Sequence, residues 1–520
     1  MARKAEPQAR TPGADDEEYA TFAAGLKRAQ ARRDLANSVI DECYEFAMPL
    51  RERPYSDGQD YRVKSERLFD ATAPDAIEDG ASAMADDVWP LDAEPFTLEP
   101  GKTVDPAKKE EFAKALAAIT DDITTTIYNS NYRKACEGAL QDWHIGSGFL
   151  LLDEGDFDQP LVSRVLPLSE ALPDLGPRDE IDKLYRKPIK VRASDIKLRW
   201  PDAKLPEQLA KIAAETPDRD IEFQEGAARD WSVKSAETWV SRVAWPEGKA
   251  IIRRRVDKGH GSKPFVDFHY SNVPGHVLAR GPVQTALPWI KTVNTVMELA
   301  LYGLELNMTG AFQAEDDGVI NPDTTRIEPQ SVLIVGQGSG GLKSLTGDIR
   351  VRDGQWILDG LRADIRRTIT GDDLGPVKNS PMSATEVLER AAARARRRSG
   401  PYSGLIVGLM QQTVSRVAWI RQRQGAFKMS AIDGQGIAFR PLAPITRALG
   451  QDKILRFGRS MELINGALGP QTAQLVINQE EAARWVTQQF GLDPRLVRSK
   501  VEMKKLVQQI AQLATAAPAA

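Results

Sequence analysis

The triplet Gly101-Lys102-Thr103 is the feature of the chain that comes nearest to nucleotide chemistry. A phosphate-binding loop needs a further glycine five residues before the Gly-Lys pair, so that backbone N–H groups can curl around the phosphates. Phe96 occupies that position, and we expect no apolar strand to lead into the triplet. Pro106 follows where the helix of such a loop would have to begin. The triplet is therefore interpreted as a surface turn.

A second glycine-rich segment, residues 336–341 (GQGSGG), follows the strand-like run SVLIVG. A dinucleotide-binding loop would be followed at once by a helix and, about 20 residues later, by an acidic residue. The residues that come next, LKSLTGDIRV, are typical of another strand and a turn. This segment predicts a hairpin loop and no cofactor.

The residue types that commonly bind metal ions give little indication of a metal site in this chain. The histidines are His144, His260, His269 and His276, and the Gly, Ser and Pro residues between the last three impose no fixed geometry. Cys43 and Cys136 are the only cysteines and lie far apart, which makes a structural zinc site improbable. The acidic cluster Asp153, Glu154 and Asp156 is compatible with a metal but equally with the turn at the end of a strand. We expect no metal, no cofactor and no catalytic residue.

The densest basic run contains Arg394, Arg396, Arg397 and Arg398. On a helix, Arg394, Arg397 and Arg398 would share one face while Arg396 points elsewhere. A solvated helix face explains the run, and so does contact with DNA phosphates or with an acidic neighbouring subunit.

Composition limits the classes to which the chain can belong. It has 520 residues, 42% hydrophobic and 27% charged, with a mean hydropathy of −0.39, as expected for a soluble globular protein of two to four domains. No apolar run reaches the roughly 20 residues of a membrane-spanning helix, and the first residues lack the apolar core of a secretory signal. With two cysteines, synthesis in a reducing cytoplasm is expected.

The charge balance bears on nucleic-acid binding. There are 69 basic and 73 acidic residues, a net charge of −4 and a pI near 5.9. A protein that grips DNA through many phosphates usually carries a basic surplus, so tight wrapping of DNA is disfavoured. A protein that merely lets DNA pass would need no surplus.

The elements follow from hydrophobic periodicity and from Pro and Gly breaks. Helices are predicted over about 18–48, 74–88 and, in two stretches, 106–141. Residues 148–270 carry short β-type runs and one short helix near 206–214. A helix with two apolar faces begins at Leu287, where Leu299, Tyr302 and Leu306 form the second face. Strands are predicted over 310–352, a helix over 353–369, and a long helix over about 383–424 that opens with the capping box Ser383-x-x-Glu386.

The order of these segments resembles the head-to-tail connecting (portal) family of podoviruses from about Arg33 to Glu502. No single segment is a catalytic signature, and the likeness rests on their joint order and spacing. The segments are Arg67-Leu68-Phe69-Asp70-Ala71-Thr72-Ala73, Asn129-Ser130-Asn131-Tyr132, Ile145-Gly146-Ser147-Gly148-Phe149-Leu150-Leu151, Gly281-Pro282-Val283, Ala286-Leu287-Pro288 with Asn294, Met382-Ser383-Ala384-Thr385-Glu386-Val387, Gly400-Pro401 and Arg440-Pro441-Leu442-Ala443.

The resemblance implies an α+β, predominantly α-helical portal fold with a wing, a stem, a clip and a crown, assembled as a ring of usually twelve copies. Its divisions are a flexible N-terminal arm (1–32), a wing (33–285) with its β-rich part at about 148–270, a stem helix (286–309), a clip (310–352), a second stem helix (353–370), a tunnel loop (371–383), a long channel-side helix (384–424) and C-terminal wing and crown helices (425–520).

The tunnel loop is where the family faces DNA. It would present Asp372, Asp373, Lys378, Asn379 and Ser380 to the channel, as two acidic bands and one basic band that limit sticking to phosphates. Arg394, Arg397 and Arg398 remain candidates for contact with DNA or a neighbouring subunit.

The resemblance further implies a non-enzymatic protein of the virion, located at the portal vertex, through which DNA is packaged and ejected. Its expected partners are copies of itself, double-stranded DNA, the terminase packaging motor, a tail adaptor, and capsid and scaffold proteins, with no membrane. Two alternatives stay open: another virion ring or adaptor protein, and a packaging-associated ATPase. The second is disfavoured because the chain has no intact phosphate loop.

Overall fold

The computed structural model describes residues 14–51, 68–91, 93–105, 108–156, 158–309, 312–313, 343–344, 351–371, 400, 402–442 and 457–463. The fold of these residues is mixed α+β. The chain divides into a first unit of residues 1–41, 78–284 and 371–520 and a second unit of residues 42–77 and 285–370. In the part of the chain that the structure describes, no helix is both long and apolar enough to cross a membrane.

The described helices carry the following bounds: α1 Ala14–Asp34, α2 Asn37–Ala47, α3 Thr72–Val88, α4 Lys109–Tyr128, α5 Tyr132–Ile145, α6 Ile196–Arg199, α7 Glu207–Glu215, α8 Pro282–Thr309, α9 Val351–Thr370 and α10 Gln412–Arg423. A π-helical turn, Ile406–Gln411, precedes α10. The single helix expected over 18–48 is thus two helices, separated at residues 35–36.

The described strands are β1 Phe96–Pro100, β2 Ser147–Glu154, β3 Leu161–Val165, β4 Ala171–Leu175, β5 Ile181–Arg186, β6 Ile189–Arg192, β7 Asp220–Arg229, β8 Thr238–Trp245, β9 Ala250–Lys258, β10 Phe265–His269, β11 Phe312–Gln313, β12 Lys343–Ser344 and β13 Ile437–Pro441. All their pairings are antiparallel. A six-stranded sheet has the order β4-β5-β7-β8-β9, with β6 on β7, and a three-stranded sheet has the order β10-β2-β3. The β-rich region expected at 148–270, with its short helix, is confirmed.

The main core of the first unit lies between α3, α4, α5, α10 and the three-stranded sheet. Trp89 and Trp143 are fully buried there, and Trp89 meets Tyr132 edge-to-face at 5.3 Å. Phe149 and Phe268 occupy neighbouring strands of the sheet. Large aromatic side chains at helix–sheet contacts supply much of the apolar area that such a core buries.

The N-terminal prediction is wrong for residues 14–32, which are not a flexible arm. They belong to α1, which packs on the six-stranded sheet through Phe22 and Ala29. Arg28 and Arg32 both pair with Asp174, whose side chain is fully buried. A carboxylate buried among apolar neighbours needs such partners, so these ion pairs hold the helix in place.

The expected absence of a strand before the Gly101-Lys102-Thr103 triplet is also wrong. Strand β1 leads directly into it and pairs with β13. The backbone N–H groups of Gly101 and Thr103 donate to the carbonyls of Gly436 and Gln435. These N–H groups are thus occupied within the protein, and the triplet is a turn between β1 and α4, in agreement with the surface turn that the sequence predicts.

Helix α8 begins five residues earlier than the sequence predicts, at Pro282 instead of Leu287. Proline suits the first position of a helix because its missing N–H would have no partner there. Pro288, in the second turn, removes only one backbone hydrogen bond, and the helix continues through it.

Candidate functional site

The second unit contains two long helices, α8 and α9, and a short segment that binds both. Asp70 Oδ2 accepts hydrogen bonds from Arg362 of α9, at 2.8 Å from Nε and 2.7 Å from Nη2. The neighbouring Phe69 donates its backbone N–H to Oδ1 of Asn294 of α8, at 2.8 Å. Arg362 Nη2 also lies 3.4 Å from the Met297 sulfur on α8. Residues 69 and 70 therefore clamp the helix pair.

Asp70 is suited to this role by its surroundings. Its Oδ1 accepts the backbone N–H of Thr72 at 3.0 Å, at the start of α3, while Oδ2 faces Arg362. Burial raises the pKa of its carboxyl, but hydrogen bonds from Thr72 and the charge of Arg362 outweigh burial and hold the pKa below its ordinary value. Sequence reasoning placed Asp70 in a family-like segment without assigning it a function. Its position two residues before a helix was the available signal.

Helix α8 presents different faces along its length. Ile290, Val293 and Asn294 are buried. Leu299 follows Ile290 by nine residues, which at 100° per residue places it on the opposite side of the helix. Leu299 is 63% exposed and Tyr302, one turn further, is 65% exposed. Two residues of the predicted second apolar face, Leu299 and Tyr302, are thus solvent-exposed in the single subunit.

Helix α9 repeats this arrangement. Ile365 is 1% exposed, whereas Trp356, nine residues earlier and hence on the opposite side, is 82% exposed. Gly360 lies one turn from Trp356, and a Cβ atom added there would meet nothing within 4 Å. Both long helices therefore turn large apolar side chains outward.

The segment predicted to be the tunnel loop, residues 371–383, begins where α9 ends. Gly371 has φ +70°, the left-handed conformation in which glycine commonly terminates a helix, and the break expected there is confirmed. The candidate DNA-facing residues lie outside the described residues: Asp372, Asp373, Lys378, Asn379 and Ser380. The same holds for Arg394, Arg397 and Arg398. Their functions remain predictions.

Helix α10 is the C-terminal part of the long helix that the sequence predicts over 384–424. Its first residue, Gln412, anchors it to the first unit. Its side-chain amide Nε2 donates to the Asp267 carbonyl at 3.1 Å, and its Oε1 accepts the Asp267 N–H at 3.4 Å. The amide thereby satisfies the backbone of the edge strand β10 much as another strand would. The π-helical turn just before α10 adds a residue to one helical turn and so sets which side of the helix faces β10.

Arg416 provides a second anchor, one turn further along α10. It is 1% exposed and donates to the carbonyls of Leu152 and Ser262, both at 3.0 Å. Asp257 lies 3.5 Å from its guanidinium. Burial lowers the pKa of Arg416 to about 10, and Asp257 opposes that effect. A guanidinium buried with these acceptors fixes the rotation of α10 on the sheets.

A basic cleft of about 500 Å³ lies beside this anchor in the first unit. Lys258 and Arg423 contribute cations to its lining, which also includes His260, and Trp419 forms part of its wall. The Trp419 ring is flanked by the guanidinium groups of Arg416 at 4.6 Å and Arg423 at 5.4 Å. Cation–π contacts of this kind rigidify the cleft.

The residues considered for metal chemistry have other roles. Asp153 pairs with Arg164, and Glu154 lies 3.3 Å from Arg423 and 3.5 Å from Arg255. Among the described residues, no group of three or more His, Cys, Asp and Glu side chains is arranged to hold a metal ion.

The two thiols and two of the histidines are also engaged by their surroundings. Burial raises the pKa of the Cys43 and Cys136 thiols to about 12, which keeps them protonated and poorly nucleophilic. His144 is buried against the Leu140 carbonyl, 2.7 Å from its Nδ1. His269 Nδ1 lies 2.9 Å from the Ser147 hydroxyl.

The chain is similar to solved structures of a gene transfer agent (GTA) particle. A chain in the virion of the native particle has 12% sequence identity and a TM-score of 0.39, covering 83% of this chain and 95% of that chain. A chain in the neck of the empty particle, computed with C6 symmetry, has 15% identity and a TM-score of 0.37 at coverages of 83% and 95%. One in the neck of the native particle, computed with C12 symmetry, has 11% identity and a TM-score of 0.36 at coverages of 83% and 96%. No curated protein sequence matches the chain.

The family model described as bacteriophage head to tail connecting protein matches residues 20–497. The match begins within α1, before Arg33, where the resemblance found in the sequence begins, and it spans both units of the fold. The family is a structural one, which agrees with the expectation of a non-enzymatic protein. From a match over nearly the whole chain, we conclude that this protein belongs to the family of bacteriophage head to tail connecting proteins.

Proposed function

We propose that the chain is the portal subunit of a short-tailed phage. Twelve copies would form a ring at one vertex of the capsid, through which double-stranded DNA is packaged and later ejected. The observation that carries this proposal is the family match over residues 20–497. The outward apolar faces of α8 and α9 support it, because a subunit that remained alone would gain nothing from exposing Leu299 and Trp356.

Each segment of the chain has a proposed role in this ring. Residues 286–309 and 353–370 form the stem, and residues 310–352 form the clip, which contacts the terminase motor and later the tail adaptor. The loop at 371–383 faces DNA, and the helix at 384–424 lies toward the channel. The wing at 33–285 and the C-terminal residues 425–520 contact capsid and scaffold proteins. The anchoring of α10 by Gln412 and Arg416 supports this scheme, since a channel wall must keep its shape under load.

In this scheme the subunit contributes no catalysis. The packaging motor hydrolyses ATP, and the portal forms a channel that guides the DNA and has little affinity for it. The net charge of −4 per subunit supports such a guide because duplex DNA is itself a polyanion. Synthesis in the host cytoplasm and incorporation into the virion complete the proposal.

Negative-stain electron microscopy of the purified full chain tests the proposed assembly. We expect rings of roughly twelvefold symmetry with a central hole. A monomer that hydrolyses ATP would contradict the proposal and would favour a packaging enzyme. A ring without a central hole would favour a different virion component.

A further inference from the structure

Both edges of the three-stranded sheet β10-β2-β3 are closed by the amide of a side chain. At the β3 edge, Asn131 Nδ2 donates to the carbonyl of Ser163 at 2.8 Å, and its Oδ1 accepts the N–H of Ser163 at 2.9 Å. At the β10 edge, Gln412 bonds to both backbone groups of Asp267 in the same way. Each amide thus occupies a donor and an acceptor that a further strand would use.

The pairing of β3 with β2 shows that the backbone groups of Ser163 point away from the sheet. In an antiparallel pair, successive residues of a strand direct their N–H and C=O groups to opposite sides. The N–H of Leu166 donates to the carbonyl of Phe149, so Leu166 faces β2. Ser163 lies three positions earlier, an odd number, and therefore faces the free side of β3, where Asn131 meets it.

Asn131 is at the N-cap position of α5 but has a different role there. An asparagine at this position usually accepts a backbone N–H from the first turn of its own helix. Within the described residues, the Asn131 side chain makes no such capping hydrogen bond. The Ser130 hydroxyl instead accepts the N–H of Tyr132 at 3.2 Å. The amide of Asn131 is thus directed to β3, and it belongs to residues 129–132, to which the proposed ring gives no function.

The two edges differ in how well they would accept a second copy of the same strand. Two β3 strands paired antiparallel about Ser163 would place Val162 opposite Arg164, with no like charges opposite each other. Two β10 strands paired about Asp267 would place two carboxylates opposite each other, which is destabilising. The β3 edge is therefore the more permissive of the two, and the residue that closes it, Asn131, is exposed.

From these observations we infer that the edge of β3 is a latent pairing surface for the β3 strand of a second copy of this chain, and that Asn131 keeps it closed. Without the amide, the N–H and C=O of Ser163 would pair with the strand of another copy. Such a contact joins copies through the wrong surface and competes with correct assembly. The inference goes beyond the proposed ring and does not depend on it, because edge pairing would join single subunits as well as rings.

A peptide with the sequence of β3 tests this inference. The probe is a fluorescein-labelled peptide of residues 159–167 (QPLVSRVLP), and its binding to the full chain is followed by fluorescence anisotropy. We expect Asn131→Ala to bind the peptide on the order of tenfold more tightly than the unmodified protein, because the peptide no longer has to displace the two hydrogen bonds of the amide. Equal affinity of the two proteins for the peptide would overturn the inference.

Two further variants separate the closed edge from the stability of the fold. Asn131→Ser places another good capping residue at the start of α5 but removes the amide, so it should fold normally and bind the peptide as tightly as Asn131→Ala does. If Asn131→Ser folds but does not bind the peptide more tightly than the unmodified protein, the inference is wrong. Asn129→Ala is the matched control, because Asn129 is exposed in the same turn and its removal should leave the affinity unchanged.

A charge introduced into β3 provides a result that a loss of stability alone would not give. Light scattering of the full chain should show larger assemblies for Asn131→Ala than for the unmodified protein. In Asn131→Ala/Val162→Lys, the introduced cation would lie opposite Arg164 of the second strand, and this like-charge pair should restore the size of the unmodified protein. Persistence of the larger assemblies in the double variant would contradict pairing through β3. Failure of the unmodified protein to form rings would contradict the portal proposal alone.

Discussion

Asp267 illustrates how single residues join distant parts of the chain in the first unit. Its carboxylate accepts a hydrogen bond from Lys263, in the loop between β9 and β10, and lies 3.4 Å from Nε2 of His269. Its backbone is bonded to the side chain of Gln412 on α10. Burial raises the pKa of Asp267, but the charges and hydrogen bonds of Lys263 and His269 outweigh burial and hold the pKa well below its usual range.

Replacing this carboxylate should expose its contribution to stability. We expect Asp267→Asn to lower the free energy of unfolding of the full chain by about 3 kcal/mol at neutral pH, since it leaves Lys263 without its buried counter-charge. The folded pKa lies below the unfolded value of about 3.9, so the contribution is complete above about pH 5 and is lost as the pH falls through the folded pKa. Urea unfolding at neutral pH and near pH 3 measures the difference between variant and unmodified protein.

The difference in free energy of unfolding between Asp267→Asn and the unmodified protein should therefore be smaller near pH 3 than at neutral pH. The matched control is Asp218→Asn, because Asp218 is exposed in the same unit and should show no difference at either pH. A constant difference between the two pH values would mean that Asp267 acts through packing and not through its charge.

At the scale of elements, the clamp at residues 69–70 accounts for the pairing of α8 and α9. Helices in water gain most of their stability from packing, so contacts that join two long helices stabilise both. Asp70 combines a helix-start hydrogen bond from Thr72 with an ion pair to Arg362, so its side chain links α3 with α9, while the backbone N–H of Phe69 reaches α8.

A double-mutant cycle tests this clamp. Asp70→Ser keeps an acceptor for the Thr72 N–H but removes the charge, and Arg362→Ala removes its partner. We expect a coupling free energy of about 1–2 kcal/mol between the two sites in urea unfolding. The control is Asp359→Ala, since Asp359 is 72% exposed and 3.8 Å from Arg362, and its removal should cost about 0.5 kcal/mol or less. Equal coupling at both sites would contradict the clamp.

Helix α1 shows why the packing of an element can escape sequence reasoning even where its helicity is predicted, as it is here from residue 18. Its acidic start and scattered apolar residues are typical of a solvated arm, and the periodicity from Phe22 to Ala29 is weak. The structure instead holds it through Asp174, about 140 residues away, and through Glu18, which pairs with Arg242 and Arg254. Long-range ion pairs leave no local signal in a sequence.

At the scale of the whole molecule, the charge balance and the exposed apolar surface support the proposed ring, which surrounds DNA without holding it tightly. The near-neutral charge balance over 520 residues disfavours tight wrapping of DNA. The exposed faces of α8 and α9 instead suggest contacts between protein copies. The loop at 371–383, with one lysine among its charges, is the proposed point of contact with the passing duplex.

A loop variant tests that assignment. In Lys378→Ala/Asn379→Ala, ring assembly should be unchanged by negative-stain microscopy, because the proposed contact is with DNA and not between subunits. Retention of DNA in filled heads should fall, since the only loop cation available to phosphates is removed. Lys211→Ala, an exposed lysine of α7, is the control. Failure of the rings to assemble would show that the loop assignment is wrong.

The sequence by itself determined the class of the protein, the β-rich region and the approximate bounds of most helices. Those properties follow from local periodicity, from Pro and Gly breaks and from the order of segments, all of which can be read along the chain. Only the tertiary structure decided that α1 docks on a sheet, that a strand precedes Gly101, that residues 69 and 70 clamp α8 and α9, and that Gln412 and Arg416 anchor α10. Each of these features depends on residues that are remote from one another in the sequence. The packing of the whole fold brings such residues together, and no local sequence pattern indicates which of them will be in contact.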